Sequence, residues 1–138
     1  MRTTANKVIF DTNLWISFLI SNKLKWIDNL IFKHGIRLIF SQELLNEFVQ
    51  VTQRPKFLKY FDNSDVEQLF KFLDKYGELV IVNSKIDICR DFKDNFLLSL
   101  SVDSKADYLV TGDKDLLELG KINKTKIITI AEFERRLK

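Results

Sequence analysis

The sequence predicts an α/β domain built on a parallel sheet, and three observations carry that prediction. Five short apolar runs, at 8–10, 38–40, 79–82, 108–110 and 127–130, are continuous rather than alternating, Thr129 apart. Strands buried on both faces have this composition. The segments between the runs are long enough for helical crossovers, and most carry apolar residues at helical spacing. The length of 138 residues suits one core and is too short for two comfortable ones, so residues 1–138 are expected to form a single domain.

Each element follows from local signals. Val8-Ile9-Phe10 is the first strand, and Leu14, Trp15, Phe18 and Leu19 mark the amphipathic segment after it. His34-Gly35 reads as a helix end, with the histidine solvent-facing or paired with the helix dipole. After 38–40, Ser41 is placed to cap a helix carrying Leu44, Leu45, Phe48 and Val51. Pro55, in Arg54-Pro55-Lys56-Phe57, breaks that helix from the next. Asn63 or Ser64 is expected to cap the helix of Val66, Leu69, Phe70 and Leu73, and Gly77 to close it. Residues 83–93 lack periodicity and read as a loop. Asp94 occupies an N-cap position before Phe96, Leu97, Leu98, Leu100 and Val102. A short amphipathic helix from Ala131 onward follows the last strand.

Composition excludes several function classes. The net charge of +3 permits contact with nucleic acid without requiring it. One cysteine, Cys89, excludes an internal disulfide and a cysteine-based zinc site; it reads as a small buried hydrophobe. One histidine excludes a histidine cluster. Twelve phenylalanines point to an aromatic core. No run approaches the ~18 apolar residues of a membrane span, and the N-terminus lacks the apolar region of a signal peptide, so a cytoplasmic location is expected.

The acids are the main functional signal. Asp11 ends the first strand, where open α/β sheets bind ligands, although taken alone a plain N-cap is the simpler explanation. Glu47 lies at the rim of the apolar stripe of Leu44, Phe48 and Val51, where an acid is costly to desolvate. Asp94 shares a helical face with Leu97, Leu98 and Ser101. Asp91, three residues earlier, is placed in the loop, where it can support the site. Asp113 and Asp115 follow Thr111-Gly112; one caps Leu116-Leu117 and the other faces the cleft, and spacing does not choose between them. If the strands are parallel, Asp11, Glu47, Asp94 and Asp113 gather at one sheet edge. Crowded acids without matching bases repel unless a cation lies between them. Oxygen-only ligands suit Mg²⁺ or Mn²⁺, and the chemistry that fits is metal-assisted phosphodiester hydrolysis.

Thr12, Asn13 and Thr111 could orient water or ligands, or serve only as turn residues. Arg54, Lys56, Lys59, Lys93 and Lys114 could contact RNA phosphates, against the plainer reading of solvated surface bases. Trp15 is expected in the core rather than as a stacking platform. A haloacid-dehalogenase-type phosphatase would need an acid at position 13, which is Asn; a response-regulator receiver would need paired acids near the first strand; and no glycine-rich phosphate loop follows any strand.

The order Asp11-Thr12-Asn13, Ser41 with Glu47, Asp91-x-x-Asp94-Asn95-x-x-Leu98, and Ala106-Asp107-x-Leu109-Val110-Thr111-Gly112-Asp113-x-Asp115-Leu116-Leu117 resembles a PIN domain. Within that family it is similar to the bacterial and archaeal toxin components of toxin–antitoxin systems, relatives of VapC-type toxins, and Arg54-Pro55-Lys56-Phe57 resembles a feature of that subgroup. The likeness runs from Val8 to about Ile130. It implies a three-layer α/β/α fold with a central parallel sheet of four to five strands. It also implies an Mg²⁺- or Mn²⁺-dependent endoribonuclease, commonly a homodimer, inhibited by a cognate antitoxin. Carried across, Asp11, Glu47, Asp94 and Asp113 match the catalytic and metal-binding quartet, with Asp115 a fifth candidate. Ser101 stands where the family usually has Ala, and is small enough to pack there. The rival reading is the same fold kept as a catalytically silent RNA- or protein-binding module.

Overall fold

The computed structural model describes residues 6–21, 23–59 and 63–137. In chain order the elements are β1 (Lys7–Phe10), α1 (Thr12–Ile20), α2 (Leu24–His34), β2 (Arg37–Phe40), α3 (Gln42–Thr52), α4 (Pro55–Leu58), α5 (Asn63–Tyr76), β3 (Gly77–Leu79), α6 (Phe92–Ser104), β4 (Tyr108–Val110), α7 (Lys114–Leu119), β5 (Lys121–Ile122), β6 (Thr125–Ile128) and α8 (Ile130–Leu137). The sheet order is β3-β2-β1-β4-β6-β5. All pairings are parallel except β5 with β6. The α/β sheet of parallel strands is therefore present, widened to six strands by one short antiparallel addition.

β1 and β4 lie side by side in register, with Val8 opposite Tyr108 and Phe10 opposite Val110. The chain runs outward from β1 to β2 and β3, then returns to place β4 on the other flank of β1. This reversal makes the carboxyl ends of β1 and β4 the switch point where open α/β sheets form clefts.

Alternation along each strand divides the core in two. Val8, Phe10, Leu38 and Val110 pack with Phe18, Ile27, Ile31, Phe48, Leu69 and Phe133 on one face. Ile9, Ile39, Leu109 and Ile127 pack with Leu97, Leu98, Leu100 and Leu116 on the other. Helices α1, α2, α3, α5 and α8 supply the first layer, and α6 and α7 most of the second. Phe10 anchors the first core through edge-to-face contacts with Trp15, Phe18 and Phe133 at centroid distances of 5.3, 5.6 and 5.7 Å. Trp15 is 8% exposed, so its role is packing.

Local signals hold in part. Ser41 caps α3 by accepting from the Leu44 N–H at 3.2 Å, Pro55 opens α4, and α2 ends at a left-handed Gly35. Four readings are corrected. Gly77 does not close α5 with a turn; it opens β3 directly, where a Cβ would collide with the Leu73 carbonyl and the Phe40 ring. The third strand covers 77–79 rather than 79–82: after the Val80 N–H bonds to the Phe40 carbonyl at 2.9 Å, the chain leaves the sheet. Asn63 and Ser64 lie inside the first turn of α5, and the residue before them is outside the described residues. The loop expected at 83–93 covers 80–91 instead, and Phe92 and Lys93 already belong to α6.

Candidate metal centre

Four elements deliver acids to the switch point. Asp11 follows β1 and caps α1, its Oδ1 accepting from the Asn13 N–H at 3.3 Å. Its N–H continues the β1–β4 ladder to the Val110 carbonyl at 3.0 Å. Thr111 links the two strand ends: its hydroxyl donates to Asp11 Oδ2 at 2.8 Å and accepts from the Asp113 N–H at 3.1 Å. One threonine thus fixes Asp11 against the turn that carries Asp113.

The choice left open at 113 and 115 is settled in part. Asp113 caps α7, its Oδ1 accepting from the N–H groups of Asp115 and Leu116 at 2.9 and 3.3 Å. Both acids nevertheless reach the centre, because Asp94, Asp113 and Asp115 can each place one carboxylate oxygen within 4.8 Å of the others.

The assignment of caps on α6 is reversed from the sequence reading. Asp91 is the N-cap, accepting from the Lys93 N–H at 2.8 Å, and Asp94 lies in the first helical turn. There it is 4% exposed, and its Oδ2 is the sole buried side-chain polar atom without a hydrogen-bond partner among the described residues. Burial, then the charges of Asp113, Asp91 and Asp11 and its contact with Asp113, raise the Asp94 carboxyl to about 6. Asp11 is also raised: burial and the charges of Glu47 and Asp113 outweigh its hydrogen bonds from Thr111 and Asn13.

Glu47, on α3, lies outside the tight trio but within the field of Asp11. Its Oε1 accepts from the Thr12 hydroxyl at 3.3 Å, and its Oε2 pairs with Lys93 Nζ at 3.2 Å. Arg90 pairs with Asp115 at 3.3 Å. The expectation of acids without matching bases therefore fails at the rim, where two bases of one loop–helix junction each meet an acid. At the centre, Asp94 Oδ2 remains unmatched. A desolvated carboxylate oxygen with no donor, beside other carboxylates, suits a hard cation, so the residues present fit Mg²⁺ or Mn²⁺.

Of the other bases considered for RNA contact, Lys56 lies over the Phe57 ring at 5.0 Å, and Arg54 and Lys114 are exposed at the N-terminal ends of α4 and α7. Cys89 is half-buried rather than buried; desolvation, then the charges of Asp94, Asp115, Asp113 and Asp91, raise its thiol. A thiol held protonated is a poor nucleophile.

Sequence reasoning missed what holds the loop before α6. Asn95 Oδ1 accepts from the Ile88 and Cys89 N–H groups at 3.1 and 2.8 Å, and Asn95 Nδ2 donates to the Cys89 carbonyl at 3.0 Å. One turn on, Ser99 Oγ accepts from the Ile86 N–H at 2.9 Å. A turn further, Asp103 Oδ2 accepts from the Asn83 and Ser84 N–H groups at 2.6 and 2.8 Å. The signal was present as three polar residues, Asn95, Ser99 and Asp103, four apart along one face of α6. This ladder fixes the path of Arg90 and Asp91. A cavity of about 510 Å³ between loop and helix, lined by Val82, Lys85, Phe92, Phe96 and Ser99 among others, does not include the acids.

The comparisons agree with the geometry. The chain is similar to an uncharacterized protein, MJ1680, of Methanocaldococcus jannaschii, 35% identical over an alignment of 123 residues that covers 86% of this chain and 77% of that one. Its fold is similar to the crystal structure of PAE2754 from Pyrobaculum aerophilum, with a TM-score of 0.59 at 16% identity over 96% of this chain and 89% of the other. The sequence profile of the PIN domain matches residues 7–115, which reach from the start of β1 to Asp115. With both strand ends and all five acids inside that span, the chain belongs to the PIN-domain family, whose fold is generally that of a nuclease.

Proposed function

We propose that the chain is an Mg²⁺- or Mn²⁺-dependent endoribonuclease, and the toxin component of a type II toxin–antitoxin system. The observation that carries the metal-dependent reading is the buried, unpartnered Asp94 Oδ2 beside Asp113 and Asp115. In this reading Asp11, Glu47, Asp94 and Asp113 are the catalytic acids and hold the ion, with Asp115 as a further ligand. When bound, the ion supplies Lewis acidity that makes water more acidic and offsets charge on a phosphodiester.

The residues around it have defined work. Thr111 holds the Asp11 carboxylate in place, and Thr12 does the same for Glu47. The Asp91 cap starts α6 so that Asp94 enters the cluster. Arg54, Lys56, Lys93 and Lys114 offer cations to RNA phosphates. The Phe92 ring, 83% exposed and one residue from Asp91, offers a stacking face for an unpaired base. The toxin role, a cognate antitoxin and a homodimer rest on the likeness of the motifs to the VapC-type subgroup. Among the described residues no helix is long and apolar enough to cross a membrane.

The test is an RNA cleavage assay with Mg²⁺ or Mn²⁺, against EDTA and an Asp11→Asn variant. Metal-dependent cleavage abolished by both controls is the expected result. Cleavage that survives both would contradict the mechanism, and RNA binding without cleavage would favour the silent module.

A further inference from the structure

Glu47 and Lys93 come from different elements, α3 and α6, yet their charged atoms meet at 3.2 Å at the rim of the acidic centre. Lys93 is two residues from the Asp91 cap and adjacent to Asp94. Its side chain is 58% exposed, whereas that of Glu47 is 26% exposed. The carboxylate is therefore held by Thr12 and the sheet-side packing of α3, while the ammonium is on a flexible stem that can leave. We infer that Lys93 is an internal counter-ion that competes with the divalent cation for Glu47. Metal binding releases the Lys93 ammonium beside the centre, where a substrate phosphate can receive it. This rests on the reading of the acids as a metal centre.

Two consequences follow from linkage. A ligand that must displace an existing ion pair binds more weakly by the strength of that pair. By reciprocity, RNA that draws Lys93 away from Glu47 tightens the metal. Half-exposed pairs are weak, so the expected effect is about two- to fivefold.

The experiment is a Mn²⁺ titration followed by the electron paramagnetic resonance signal of the free ion, which does not depend on turnover. Lys93→Met should bind Mn²⁺ about two- to fivefold more tightly than the wild type, and Lys93→Arg should stay near the wild-type value. The gain should vanish in a Glu47→Gln background, since no pair remains to break. Lys114→Met, which removes an exposed charge next to Asp113, should give a smaller gain. Unchanged affinity in Lys93→Met, an undiminished gain beside Glu47→Gln, or an equal gain from Lys114→Met would overturn the inference while leaving the metal centre standing. A wild type that binds no Mn²⁺ would overturn both.

Discussion

The two ends of the β1–β4 pair treat acids in opposite ways. At the amino end Asp107 accepts from the Lys7 N–H at 2.8 Å and pairs with Lys124 Nζ at 3.2 Å. The group is matched by a hydrogen bond and an ion pair. At the carboxyl end Asp11, Asp94 and Asp113 crowd together, two of them are raised, and one buried oxygen has no donor. Desolvating a carboxylate without a partner is expensive, and folding tolerates the cost at one end only. The difference separates an acid that fastens the sheet from acids grouped so that they could hold a cation.

The largest expected effects come from exchanging roles across that divide. Asp94→Asn should abolish RNA cleavage while raising the metal-free melting temperature by several degrees, because it removes a buried charge held at unfavourable cost. Asp107→Asn should leave cleavage intact and cost about 1 kcal/mol of stability. Denaturant unfolding and a cleavage assay on both variants check the pair; a strongly destabilised Asp94→Asn would show that Asp94 chiefly supports the helix.

The pH dependence sharpens the same contrast. The Asp94 carboxyl is raised from 3.8 to about 6 in the fold. Its protonated form is favoured in the native state, so its contribution to metal-free stability is full below about pH 4 and is lost as pH rises to about 6. The size is on the order of 3 kcal/mol. Asp94→Asn should flatten that part of the stability profile. Mn²⁺ affinity should run the other way, falling as pH drops below about 6, because a ligand must be deprotonated. Affinity independent of pH between 5 and 7 would detach Asp94 from the ion.

Smaller effects are expected from the supports. Thr111→Val keeps the shape but removes the hydroxyl between Asp11 and Asp113, and should cost about 1 kcal/mol with a drop in cleavage of about tenfold. Asn95→Ala leaves the Ile88 and Cys89 N–H groups without their acceptor. It should cost about 1–3 kcal/mol and raise hydrogen exchange in the loop before α6, with Mn²⁺ affinity less affected.

What was legible in the sequence follows the same physics. Strands buried on both faces announce themselves as unbroken apolar runs, so β1, β2 and β4 were placed close to where they are; the last run, read at 127–130, lies two residues beyond β6 at 125–128, and Ile130 already opens α8. β5 is two residues, Lys121–Ile122, beside a turn with Asn123 at φ 50°; nothing so short and mixed has a period to detect. β3 was displaced because Val80, Ile81 and Val82 are as apolar as strand residues, although Ile81 is 79% exposed. The acids were legible by position, but their roles were not. Asp91 and Asp94 are equally good caps by type, and the choice is made by a loop that Asn95 holds from a distance. The ion pairs of Glu47 with Lys93 and Asp115 with Arg90 depend on helices meeting in space, which no local spacing encodes.

The most direct measurement is a crystal structure of the protein with Mn²⁺, using the anomalous signal of the ion. A peak in coordination contact with Asp94 Oδ2 and with at least one oxygen from Asp11 or Asp113 is the expected result. A peak elsewhere, with Asp94 Oδ2 still lacking any partner, would contradict it.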